Sequence, residues 1–116
     1  MKIKSYKFGQ IVIDNQKYTS DIMICGDDIR SGWWREQGHS LSLKDLEWIL
    51  DKNPDILIIG TGKNGVMKVP NRVKKKLKEK NIKTYFKKTN QAINIYNNFK
   101  SQKSSQLIAA GFHLTC

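Results

Sequence analysis

The sequence predicts an α/β fold: a mixed central β-sheet with a parallel βαβ unit, helices packed on it, and a small antiparallel β layer from the N-terminal third. Three observations carry this. The run Asp55-Ile56-Leu57-Ile58-Ile59, bounded by Pro54 and a glycine cluster, is apolar and β-branched without alternation, the pattern of a strand buried on both faces. A lysine-rich helical pattern and a second strand follow it, and strand, helix, strand at this length closes as a right-handed crossover between parallel neighbours. The N-terminal third instead alternates polar and apolar side chains between Gly, Asn and Asp turns, which is antiparallel chemistry.

Each element has its own justification. Lys2 to Phe8 alternates weakly and Gly9 interrupts it; Gln10 to Asp14 restarts the pattern, and Asn15-Gln16 is read as a two-residue turn into Lys17-Tyr18. Ser20 to Cys25 is a further short strand ended by Gly26-Asp27-Asp28, with Cys25 as a small buried hydrophobe. Continued alternation from Ile29 to Arg35 puts Trp33 and Arg35 on one face and Trp34 on the other, so one indole is core and the other lies nearer the surface. Ser42 caps a helix with Asp45 three residues on, Leu43, Leu46, Ile49 and Leu50 give its apolar stripe, and Asn53-Pro54 ends it. After the core strand, Pro70 opens a helix that buries Val69, Val73 and Leu77 and stops at Asn81. Ile82 to Lys87 is a strand, Thr89 the N-cap of a helix with Ala92, Ile95, Tyr96 and Phe99 inward, Lys100 to Gln106 an exit loop, and Leu107 to Cys116 a last strand inside the sheet.

The turn Gly60-Thr61-Gly62-Lys63-Asn64-Gly65 matches G-x-G-x-x-G and follows a strand. A dinucleotide turn places its third glycine inside a helix, whereas Val66 to Val69 here leads to Pro70, and no acidic residue ends the next strand. The spacing of a P-loop is absent too. What remains is a turn that needs glycine's freedom, or a small-anion site in which Gly60, Thr61, Gly62, Lys63 and Lys68 hold phosphate or carboxylate.

Composition narrows the functional classes. At 116 residues the chain has room for one domain, 1–116. The start has no continuous apolar stretch of signal-peptide type and nothing later is long enough to span a bilayer; with two cysteines, Cys25 and Cys116, the expected setting is the cytoplasm. The net charge of +11 is uneven: residues 1–62 hold eight Lys and Arg against nine Asp and Glu, residues 63–116 thirteen against one. Such a patch draws acidic partners, yet Lys outnumbers Arg 18 to 3 and no helix-turn-helix, aromatic RNA-binding pair or zinc finger accompanies it, so nucleic acid is not the expected partner. Cys25, His39, His113 and Cys116 are the right types for zinc, but only His113 and Cys116 have any local spacing, so neither metal nor cofactor is expected. No nucleophile, base and orienting residue stand at motif spacing.

The motifs Trp34-Arg35-Glu36 with His39, Leu57-Ile58-Ile59-Gly60-Thr61-Gly62, Lys68-Val69-Pro70, Thr89-x-x-Ala92-x-x-x-Tyr96-Asn97 and Phe112-His113-x-Thr115-Cys116 together resemble the small single-domain family that includes the adipogenesis-associated domain protein and, more distantly, respiratory complex I assembly factor three. The resemblance covers essentially the whole chain. It implies a mixed central sheet with helices on one side and a small β layer on the other, no established catalytic activity or cofactor, and association with assembly and signalling through protein partners. The expectation is a non-catalytic interaction or regulatory module with an unknown protein partner, or a homodimer, whose surface or pocket includes Trp33, Trp34, Arg35, Glu36, His39, Asn97 and His113. On that reading Arg35→Ala leaves folding intact and loses the partner. The alternative is the small-anion binder at the 60–65 turn, with His39 or Arg35 facing the ligand.

Overall fold

The computed structural model describes residues 1–116. Strands β1 (Ile3–Lys7), β2 (Gln10–Ile13) and β3 (Gln16–Tyr18) form a three-stranded antiparallel sheet in that order. The turn between β2 and β3 is Asp14-Asn15, one residue earlier than the sequence suggests, because Ile13 pairs with Gln16. Asp14 supplies the positive φ, 51°, which Asp tolerates better than most residues.

The second sheet holds five strands: β4 (Ile22–Cys25), β5 (Asp28–Ser31), β6 (Ile56–Thr61), β7 (Lys83–Lys87) and β8 (Ile108–His113), in the order β5-β4-β8-β6-β7. Its centre is β8, parallel to β6 and antiparallel to β4. All six residues of β6 and all six of β8 are buried, as expected of strands covered on both faces. Each of Ile56, Leu57, Ile58 and Ile59 is fully enclosed, worth roughly 1.5–3 kcal/mol apiece relative to exposure.

Three helices complete the chain. A 3-10 turn at Lys44–Leu46 runs into a single α-turn, α1 (Glu47–Leu50). The Ser42 N–H donates to Asp45 Oδ2 at 2.9 Å and the Asp45 N–H to Ser42 Oγ at 3.4 Å, so the predicted start is realised, although the helix is shorter than its apolar spacing implied. Helix α2 (Asn71–Glu79) begins just after Pro70 and ends before Asn81, whose φ of 61° is the left-handed stop. Helix α3 (Thr89–Ser101) buries Ala92, Ile93 and Tyr96. Thr89 is its first residue, with Lys88 as the cap; the Thr89 hydroxyl is engaged elsewhere, as described below.

The helices divide between the two faces, which corrects the one-sided arrangement implied by the resemblance. From β6 the chain steps outward through α2 to β7, then returns through α3 across β6 to β8. Right-handed crossovers in opposite directions place their helices on opposite faces. One core cluster therefore joins Ile56, Ile58, Ala110 and Phe112 to α3 and to Ile3, Ile11 and Ile13 of the small sheet. The other joins Leu57, Ile59, Ala109, Met23 and Cys25 to Leu46, Ile49, Val73, Leu77 and Trp33. Alternate side chains of each strand supply the two clusters.

The small sheet is fastened to α3 by Asn97. Its Oδ1 accepts the Ile3 N–H at 2.9 Å and its Nδ2 donates to the Ile3 carbonyl at 2.8 Å, so the amide does for β1 what a neighbouring strand would do. Both ends of the Asn97 side chain, expected at an interaction surface or pocket, are thus bound within the chain. Asn97→Asp keeps the acceptor but faces the Ile3 carbonyl with a carboxylate oxygen. The variant is expected to lose about 1–3 kcal/mol of unfolding free energy in urea titration, with faster hydrogen exchange at the Ile3 amide.

Candidate functional site

The residues singled out in the sequence converge at the ends of β6 and β8 and in the segment after β5, but in two separate groups. The first is a buried charged cluster. Asp21 stands just ahead of β4, Arg35 in the chain after β5 and His113 at the end of β8. Arg35 Nη2 donates to Asp21 Oδ2 at 2.8 Å, with the two side chains 4% and 16% exposed. His113 Nδ1 lies 2.8 Å from the same oxygen, and the Leu114 N–H donates to Asp21 Oδ1 at 2.7 Å. An ionised carboxylate only accepts, so the His113 Nδ1 carries the proton. The 3.0 Å approach of Arg35 Nη2 to Nδ1 is then the third side of a triangle centred on Oδ2.

Burial by itself raises the Asp21 carboxyl, but the hydrogen bonds from His113, the Leu114 amide and Arg35 outweigh it and hold the pKa below the ordinary Asp value. Arg35 also donates to the Gly38 carbonyl at 3.3 Å and stacks on Trp33, its guanidinium carbon 4.7 Å from the ring centroid. Arg35 Nε and Nη1 and His113 Nε2 have no hydrogen-bond partner in the chain. The His39 ring is exposed and meets His113 edge-on, with centroids 6.1 Å apart.

The glycine turn is the neighbour of this cluster, and its donors are committed. The Gly62 N–H donates to Thr89 Oγ1 at 2.9 Å, and the Thr89 hydroxyl passes its own proton to the His113 carbonyl at 2.6 Å. From Lys63 onward the amides bond to Thr115 O, Cys116 O, Gly62 O, Cys116 O, Thr61 O and His39 O in turn, ending at Lys68. Seven consecutive N–H groups, Gly62 to Lys68, therefore donate to protein oxygens. An anion would have to displace these bonds, so the candidate set Gly60, Thr61, Gly62, Lys63 and Lys68 offers it only exposed lysine side chains. Glycine is needed here for packing: Gly62 has φ 109°, and a Cβ on it would collide with the Cys116 carbonyl carbon. A Cβ on Gly60 would lie 2.9 Å from both Phe112 Cδ1 and Thr89 Oγ1. Thr61 Oγ1 donates to the Lys87 carbonyl at 3.1 Å, which ties the ends of β6 and β7 together.

The second group faces solvent. The alternation read along Ile29 to Arg35 persists after β5 ends: Trp33 is 5% exposed, Trp34 79% and Arg35 7%. Trp33 belongs to the core. Its Nε1 donates to the Asp45 carbonyl at 2.9 Å and its ring lies against Gly111, where a Cβ would come within 2.8 Å of it. Trp34 instead borders a groove of about 630 Å³ with Met23, Glu36, Glu47 and Trp48 also in its lining. Glu36 is exposed, and its N–H donates to Asp45 Oδ1 at 3.2 Å. Arg35 makes no ion pair with the adjacent Glu36, because it turns inward to Asp21. Asp21 and Thr89 are the residues whose roles sequence reasoning missed: each partner is at least 14 positions away, beyond any local motif. The one available signal for Asp21 was a lone acid directly before a fully apolar strand.

Removing the Asp21 charge leaves Arg35 buried and uncompensated. Asp21→Asn is expected to cost about 3–5 kcal/mol in urea unfolding at neutral pH. The lowered carboxyl contributes stability that is fully present above the ordinary Asp value and is lost as pH falls through the lower folded value. The wild-type chain should therefore show an acid limb in a stability-versus-pH series that Asp21→Asn lacks. For the same electrostatic reason Arg35→Ala is expected to destabilise the fold, not to leave it intact.

The fold recurs in solved structures. A conserved hypothetical protein from Pyrococcus horikoshii shares 26% identity over 100% of both chains with a TM-score of 0.80. An outer membrane protein from Bartonella henselae shares 20% identity over 98% of this chain and 94% of its own, TM-score 0.81. A protein from Rhodopseudomonas palustris shares 23% over 95% and 80%, TM-score 0.74. No helix here is long and apolar enough to cross a membrane. Residues 3–113 match the model of the family described as "Protein of unknown function (DUF498/DUF598)", and the chain belongs to that family.

Proposed function

We propose that this chain is a non-catalytic protein-interaction module and that it docks its partner at the groove bordered by Trp34. The observation that carries the reading is the contrast within one tripeptide: Trp33 and Arg35 are buried, and the indole between them is 79% exposed. Tryptophan beside a concave, mixed polar and apolar lining is the composition of an interface hot spot. Folding does not need Trp34, since the core on that face is closed by Trp33 beneath it.

The resemblance to the adipogenesis-associated domain protein and to respiratory complex I assembly factor three supports the same reading, because members of that group act through protein partners. The proposal carries a cytoplasmic setting with it, which two free cysteines suit.

Trp34→Ala tests it. Unfolding free energy is expected to stay within about 0.5 kcal/mol of wild type, while proteins that co-purify with the tagged wild-type chain from its own host are lost. Retention of the same partners by the variant would remove the groove from the interface.

A further inference from the structure

The groove beside Trp34 has a charge opposite to that of the rest of the chain. Its lining holds four carboxylates, Glu36, Asp45, Glu47 and Asp51, against two cations, Arg30 and Lys44, in a chain of formal net charge +11. Asp45 is committed to the backbone amides of Glu36 and Ser42. Glu36, Glu47 and Asp51 are exposed and enter none of the chain's ion pairs.

The three tryptophans add a second, independent observation. Trp33 carries the Arg35 guanidinium at 4.7 Å and Trp48 the Lys52 ammonium at 5.0 Å. Trp34 has no cation of this chain over its ring. It is the one indole whose π face is free to take a cation from outside.

We propose that the groove, on the docking reading given above, takes a positively charged peptide segment of a partner protein, with an Arg or Lys side chain over the Trp34 indole and its charge facing Glu36 and Glu47. A cation over an indole gains most when it is partly desolvated, and the unpaired carboxylates offset that desolvation. Salt confines electrostatic attraction to about 8 Å at physiological ionic strength, so the groove's own charges select the side chain that settles there. A second copy is the weaker occupant: two chains of +11 each repel as whole bodies, whereas a short segment of another protein does not carry that load.

The experiment is selection of random nine-residue peptides, displayed on phage, on the wild-type chain with counter-selection on Trp34→Ala. The expected Trp34-dependent peptides carry net positive charge. Their affinity should fall by about two- to thirtyfold for the Glu36→Gln/Glu47→Gln double variant, the scale of two exposed charge pairs, and the loss should shrink at high salt. Trp34-dependent peptides that are neutral or acidic would overturn the cationic partner while leaving the docking groove in place. Absence of any Trp34-dependent peptide would overturn both. Sedimentation showing concentration-dependent dimers that the double variant abolishes would assign the groove to a second copy instead.

Discussion

The carboxylate of Asp21 is the point on which this end of the molecule depends. One oxygen takes the Leu114 amide and the other takes Arg35 and His113, so a single side chain joins the start of β4, the segment after β5 and the end of β8. A buried charge pair is weak as a source of net stability, because desolvation consumes much of the attraction. Its effect here is on conformation. Arg35 can be inside only with Asp21 to meet it, and with Arg35 inside, chain alternation sets Trp33 beneath the sheet and Trp34 in solvent.

The same end of the sheet is closed by its own backbone. In open α/β proteins the carboxyl ends of parallel strands are where ligands settle, because amides and a crevice are available there. Here Thr89 bridges the Gly62 N–H and the His113 carbonyl, and the 62–68 amides are met by the last two residues and by neighbouring loops. The glycines permit a close approach, as a phosphate-binding turn would require, but what approaches is the chain itself. The groove on the α1 side, built from side chains and not from backbone donors, is by contrast a concave surface with unengaged carboxylates.

Charge distribution follows the chain order more than the fold's layers. The carboxylates of the groove come from residues 36–51, within the part of the sequence that is nearly neutral, while α2, β7 and Lys88 just ahead of α3 bring most of the lysines of residues 63–116. The lysines of α2 flank its buried stripe of Val73 and Leu77, which is what an amphipathic helix with a narrow core contact requires. Much of the +11 is therefore a solvated helix face, and the local acidity of the groove stands out against it.

The sequence by itself determined the elements whose causes are local. Period-2 and unbroken apolar runs marked β1 to β4 and β6 to β8, with β6 as a strand buried on both faces and β8 as one inside the sheet; Pro70 and Asn81 bounded α2, and the Ser42/Asp45 pair marked the start at α1. It also placed one tryptophan inward and one outward, since alternation is a property of adjacent residues. The tertiary structure alone decided which was which, and it decided the site. The partners of Arg35, Thr89, Asn97 and the 62–68 amides lie far along the chain, and no local pattern encodes a pairing that exists only after the sheet has closed. The anion-binding reading of Gly60 to Gly65 was faithful to the local geometry of such turns; whether its amides face solvent or another segment of the chain is settled by topology, through the placement of β8 between β4 and β6.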